Sequence, residues 1–228
     1  MSPSWRLLCV SVLIFTGCNP QPPSPTAPAA TVSPAEYGSG GYGYGTGEIT
    51  FLDAVATQET PATDFAAVPM TTADGRTITL KDLAAGKPLI AVFTRGYAGS
   101  ICPYCSSQTS RLIANYAEFQ KRDTEVVVIY PLEKPEDTHR LNEFMAKVNE
   151  NNTQPATQVA PFPMLVDIGL KAVDVLGIRR DLSKPATYIL DEQGAVRFAY
   201  VGKSLADRPS VKALLEQLDA MKTMPAGG

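Results

Sequence analysis

Pro88-Leu89-Ile90-Ala91-Val92-Phe93-Thr94 is a continuous apolar run, as a central strand covered on both faces requires. Glu125-Val126-Val127-Val128-Ile129-Tyr130 is a second such run, rich in β-branched residues, and predicts another strand. Between them the period changes. Leu112, Ile113, Tyr116 and Phe119 recur at helical spacing and predict one long helix up to about Lys121. Upstream, Thr77-Ile78-Thr79-Leu80 alternates after the Ala73-Asp74-Gly75 turn and reads as a short strand. Pro135 opens a helix that continues through Val148, proline being accepted in a first helical turn. Residues 149–161 are polar and irregular; a short strand follows at Pro163 to Asp167 and a short helix at Leu170 to Leu176. Thr187 to Leu190 and Ala195 to Val201 flank Asp191-Glu192-Gln193-Gly194, a hairpin turn. A last helix, Pro209 to Met221, turns Val211, Leu214, Leu215 and Leu218 inward. Strand, helix, strand, helix, hairpin, helix is the order of an α/β domain, a mixed central sheet flanked by helices on both faces.

The chain ahead of this domain has a different character. Leu7 to Phe15 is apolar, follows Arg6, and ends in the small residues Thr16 and Gly17 before Cys18. It is far short of the roughly 20 residues that span a bilayer and has the shape of a secretory signal with its cleavage site. Phe15-Thr16-Gly17-Cys18 resembles the bacterial lipobox, with Phe15 where leucine is usual. That resemblance implies a signal peptide over residues 1–17 and lipidation of Cys18. The protein is then expected in the cell envelope, lipid-anchored to a membrane and facing the periplasm or exterior. Cleavage there removes Cys9 and Trp5 and leaves Cys102 and Cys105 as the only thiols of the mature chain. Residues 18–57 read as a disordered linker, first rich in Pro, Ser, Thr and Ala, then in Gly and Tyr from Tyr37 to Gly47. Neither part has enough apolar surface to offset the entropy of ordering. The folded domain is expected over residues 58–222, with a tail at 223–228.

Composition adds two exclusions. The net charge of −3 and the absence of a basic stripe argue against a nucleic-acid partner. No phosphate loop is visible, because the glycines of residues 38–47 lack the strand and helix such a loop joins. No cofactor is expected.

The chemistry sits at Cys102-Pro103-Tyr104-Cys105, just past the first buried strand and at the start of the long helix. Two cysteines two residues apart beside a βαβ pattern read as a redox pair. A helix amino terminus offers free N–H groups and a positive dipole end, which favour thiolate over thiol. On this reasoning Cys102 is expected to be the more acidic and more accessible thiol, attacking a substrate disulfide, while Cys105 resolves the mixed disulfide. A structural disulfide, plain core cysteines and a zinc site remain as other readings of the same pair. Zinc would need two further ligands, and His139, expected to be exposed on the Pro135 helix, is the one histidine of the chain.

Cys102-Pro103-Tyr104-Cys105 after Phe93-Thr94-Arg95-Gly96-Tyr97 resembles the redoxin branch of the thioredoxin superfamily, and within it the peroxiredoxin-like proteins of the alkyl hydroperoxide reductase/thiol-specific antioxidant family. Asp74-Gly75, Phe162-Pro163-Met164-Leu165-Val166-Asp167 and Lys184-Pro185-Ala186-Thr187-Tyr188-Ile189-Leu190-Asp191 support the likeness. It implies a thioredoxin-like fold, and it places Pro185 where that fold carries a cis-proline facing the dithiol. It also exposes departures. Arg95 stands where peroxiredoxins carry a proline ahead of the attacking cysteine, and Gly99 where they carry a threonine whose hydroxyl helps hold the peroxide. Arg95 either tunes the thiolate by its charge or is a solvated loop residue. Copper-delivering members pair two cysteines with a histidine near the hairpin strand, and Lys184 to Ile189 contains none.

Three functions follow in order. The first is a cell-envelope thiol–disulfide oxidoreductase with Cys102, Cys105, Pro185 and Arg95 in its site, working on protein or small-molecule thiols and disulfides and coupled to an electron donor. The second is a thiol peroxidase reducing hydroperoxides. The third is a non-catalytic redoxin-fold module for binding or metal handling.

Overall fold

The computed structural model describes residues 49–58, 64–151 and 159–223. The signal segment, Cys18, most of the linker and the tail beyond Thr223 lie outside them. The elements in chain order are β1 (Thr50–Leu52), β2 (Met70–Thr72), β3 (Thr77–Ile78), α1 (Leu80–Ala84), β4 (Leu89–Phe93), α2 (Pro103–Ala114), α3 (Tyr116–Gln120) and β5 (Glu125–Leu132), followed by α4 (Arg140–Glu150), β6 (Met164–Ile168), α5 (Lys171–Val175), β7 (Ala186–Leu190), β8 (Val196–Val201), β9 (Asp207–Pro209) and α6 (Val211–Thr223). Seven strands form one mixed sheet in the order β3-β2-β6-β5-β4-β7-β8. The middle three, β6, β5 and β4, run parallel, and the flanking pairs are antiparallel.

The apolar run of β4 is explained by its place. Leu89, Ala91 and Phe93 face a core shared with α1, α5 and Tyr188. Ile90 and Val92 face the opposite core, built with α2, α3, α4 and α6. All five are fully buried, so no polar position interrupts the run. Replacing Ile90 by Val removes one buried methyl group and is expected to cost about 1 kcal/mol. Thermal melting should fall by roughly 3 °C; an unchanged melt would mean that the α2 face of β4 is loosely packed.

Several expected boundaries move. The strand at Thr77 stops at Ile78, because Thr79 caps α1: its side chain accepts from the Asp82 N–H, and Asp82 accepts from the Thr79 N–H. The single helix expected up to Lys121 is two. Asn115 leaves helical geometry, its amide donates to the Arg111 carbonyl at 2.8 Å, and α3 starts at Tyr116. The helix expected from Pro135 begins as a 3-10 turn, Pro135–His139, and becomes α-helical at Arg140. The linker expected to reach Thr57 ends sooner. Thr50–Leu52 pairs in parallel with Asp207–Pro209, Gln58 N–H donates to the Ala199 carbonyl, and the Thr57 hydroxyl accepts from Ala199 N–H. Among the described residues no helix is long and apolar enough to cross a membrane.

Candidate active site

The site grows from the carboxyl end of β4. Thr94 continues the strand, its N–H and hydroxyl both donating to the Ile129 carbonyl at 3.0 Å. The chain then turns at Gly96, whose φ is +81°, and enters α2 through Cys102. Cys102 is the N-cap in extended geometry, with Pro103 following in the first turn. The Cys102 sulfur takes the capping role usual for a hydroxyl or carboxylate, accepting from the Cys105 N–H at 3.3 Å. Cys105 lies one turn in. Its sulfur accepts from the Arg95 N–H at 3.3 Å and from the Arg208 guanidinium at 3.7 Å. Both cysteines are free thiols in this structure.

The helix carrying the pair is held by polar contacts that its apolar spacing does not reveal. Asn151 donates to the Ser106 hydroxyl at 3.0 Å, Ser110 donates to the Val148 carbonyl, and Gln108 donates to the Thr187 hydroxyl. These tie α2 to α4 and β7, so the dithiol stands on a fixed support.

The electrostatics reverse the expected order of the two thiols. Cys102 and Cys105 are each 1% exposed, so neither is the more accessible. The hydrogen bond with Cys105, reinforced by burial, holds the Cys102 thiol well above its ordinary range. Burial pushes Cys105 up as well, but the hydrogen bond from Cys102, the charge of Arg208 and the Arg95 N–H outweigh it and bring Cys105 down to about 6. Both shifts point the same way, favouring thiolate on Cys105 and thiol on Cys102. The helix terminus favours Cys102, but Arg208 arrives from a distant strand and its charge acts on Cys105.

This depression has a stability consequence. A thiol with a lowered folded-state pKa adds stability that is complete above the unfolded value, here 9.0, and lost as pH falls through about 6. Under reducing conditions the melting-temperature difference between the native chain and Cys105→Ala is expected to shrink as pH falls from 9 to 6. A difference that is flat across this window would contradict the assignment.

The remaining expected residues divide. Arg95 is 7% exposed rather than solvated; its guanidinium donates to Asp181 at 3.0 Å, and its main-chain N–H reaches the Cys105 sulfur. Pro185 stands buried at the entry to β7, its carbonyl accepting from the Gly202 N–H at 2.8 Å. No peptide bond among the described residues is cis, so Pro185, which the family resemblance places at the cis-proline position and whose isomer the sequence leaves open, is a trans proline at a strand entry. Gly99 is exposed and brings no hydroxyl. His139 is exposed, as expected, with Nδ1 2.9 Å from the Glu136 carbonyl. No group of three metal-ligating side chains occurs among the described residues.

Arg208 is the residue the sequence reading missed. It lies in a segment, Asp207-Arg208-Pro209, that reads as the polar approach to a helix, and nothing local marks its side chain as buried.

A mixed sheet with a dithiol capping the helix after its central parallel strand defines a thiol protein of the thioredoxin fold. More narrowly, residues 59–199, over half of the sequence, match the AhpC/TSA family model, and the chain belongs to that family. Solved structures agree on the fold. Mycobacterium tuberculosis AhpC is 24% identical with a TM-score of 0.50, over 65% of this chain and 80% of that one. A mutant of the peroxiredoxin 6 of Arenicola marina is 13% identical with a TM-score of 0.58, over 74% of each chain. A yeast mitochondrial 1-Cys peroxiredoxin is 13% identical with a TM-score of 0.56, over 74% of this chain and 77% of that one. A search of curated proteins gives no match. The family and fold place the protein among the thiol-based oxidoreductases and antioxidants.

Proposed function

We propose that this protein is a thiol–disulfide oxidoreductase of the cell envelope, working through Cys102 and Cys105. The observation that carries the reading is the pair itself: two free, hydrogen-bonded thiols, one capping a helix and the other in contact with a guanidinium. Cys102 stands at the helix start while Cys105 lies one turn in against the Arg95 N–H and Arg208, so the mixed disulfide with substrate is assigned to Cys102, and Cys105 is the internal sulfur that resolves it or departs from it. Arg95 contributes its main-chain N–H to Cys105, and Pro185 shapes the entry of the neighbouring strand. Protein or small-molecule thiols and disulfides are the substrates. An electron donor of the glutathione or thioredoxin type fits the family, since the yeast relative is resolved via those systems.

A second reading, a peroxidase, is favoured by family membership and opposed by Gly99 and Arg95 at the positions of the peroxide-holding threonine and the proline. Single-turnover kinetics separate the two. Reduced protein is mixed in turn with a hydroperoxide and with a disulfide peptide. Faster oxidation by the disulfide supports the oxidoreductase; faster oxidation by the hydroperoxide establishes the peroxidase.

The envelope location rests on the apolar segment Leu7 to Phe15 and on Cys18. The native host is expected to yield a membrane-bound form starting at lipidated Cys18. Intact-mass analysis finding an unprocessed Met1 would contradict it.

A further inference from the structure

Arg208 is 2% exposed. Its guanidinium has two partners among the described residues, the Asp207 main-chain carbonyl at 2.8 Å and the Cys105 sulfur at 3.7 Å, while Nε has none. The adjacent Asp207 carboxylate is no counter-ion, being occupied by the Tyr200 hydroxyl and the N–H groups of Lys203 and Ser204. Arg95, the other buried arginine near the pair, has Asp181. Strand β1 lies alongside: Phe51 is in register with Arg208, and the Arg111 guanidinium lies over the Phe51 ring at 4.1 Å. A guanidinium this deeply buried is costly without an anion, and among the described residues the Cys105 sulfur is the hydrogen-bond partner that can supply the charge.

We propose that Arg208 is the resident counter-ion of the Cys105 thiolate, and that it biases the pair toward the dithiol so that its disulfide form oxidises substrate dithiols. The inference rests on the oxidoreductase reading and adds its direction. When Cys102 and Cys105 are joined, the thiolate charge is gone and Arg208 stays buried without an anion, which destabilises the disulfide relative to the dithiol. A substrate thiolate attacks the Cys102 sulfur, the Cys102–Cys105 bond breaks, and the electron pair leaves on Cys105 facing Arg208. A stabilised thiolate is the faster leaving group. The second substrate thiol, deprotonated, attacks the substrate sulfur of the mixed disulfide and expels Cys102, which takes up a proton. The substrate loses two electrons and two protons and becomes a disulfide. The protein gains the two electrons and one proton, as Cys102 thiol and Cys105 thiolate, and the other proton goes to solvent.

The groups facing the Cys105 sulfur are Cys102 and its helix start, the Arg95 N–H and Arg208, so the test varies the guanidinium. Native protein, Arg208→Lys and Arg208→Met are equilibrated across a series of reduced and oxidised glutathione, and the disulfide fraction is read by mass. Arg208→Met is expected to shift the equilibrium at least tenfold toward the disulfide, about 30 mV, with Arg208→Lys in between. A second measurement follows thiolate absorbance against pH in Cys102→Ser, where Cys105 titrates alone. Its midpoint should lie below that of a free thiol and rise when Arg208→Met is added. If Arg208→Met does not fold, the midpoint in Cys102→Ser decides: a value at or above the free thiol overturns the ion pair. An equilibrium in Arg208→Met within twofold of the native one overturns the oxidant role while the oxidoreductase reading stands. A native chain that never exchanges with glutathione removes that reading, and the oxidant role with it.

Discussion

Cys105→Ser is expected to capture substrate and keep it. A mixed disulfide should accumulate on Cys102, because no second sulfur within the helix turn can displace it, and turnover should fall at least about a thousandfold, as when a nucleophile is removed from a catalytic unit. Cys102→Ser should be as inactive but without the adduct, since the sulfur that remains is enclosed by Arg95 and Arg208. Mass mapping of trapped species in the two single variants checks this. An adduct on Cys105 in Cys102→Ser would exchange the roles of the two thiols. Adducts in neither variant, with unchanged stability, would leave the pair without a part in exchange.

Gly96→Ala is expected to damage fold and site together. The residue sits at φ +81°, where a side chain costs roughly 1–2 kcal/mol. A Cβ there would meet the Pro131 carbonyl oxygen at 2.2 Å and Leu182 at 3.0 Å. The closer neighbour is backbone of β5 and cannot swing aside, so overpacking adds about 1–3 kcal/mol. Roughly 3 kcal/mol in total should lower the melting temperature by about 10 °C. Gly96 also follows Arg95, whose N–H reaches Cys105 and whose carbonyl accepts from the Ser183 N–H. Displacing that segment should raise the Cys105 thiol toward its ordinary range, visible as a shift in thiolate titration. A variant as stable as the native chain, with an unshifted titration, would contradict this account of the turn.

What the sequence made legible follows a physical pattern. β4 and β5 are buried on both faces, so burial writes itself into the chain as unbroken apolar runs. The β7–β8 hairpin is local, and its turn residues announce it. The position of the dithiol is equally local, since Pro103 and the end of β4 mark the helix start. β1 and β9 leave no such trace: each has three residues, one contains a proline and two charges, and they pair across most of the domain. The break at Asn115 is hidden because Tyr116 and Phe119 keep the apolar spacing across it. β2 is likewise three residues long, too short for a period to show. Above all, the polarity of the thiols is a tertiary property. The helix terminus favours Cys102, but the Cys105 sulfur lies against Arg208, more than a hundred residues away in sequence, and the buried charge wins.

The central claim, that Cys102 and Cys105 form a reversible redox pair, is tested most directly by peptide mapping of the full chain after oxidised and then reduced glutathione. The account predicts a Cys102–Cys105 disulfide, seen as the loss of two hydrogens from one linked peptide, that forms in the first condition and is fully reversed in the second. Thiols that stay free in both conditions, or that end as two separate glutathione adducts, would contradict it.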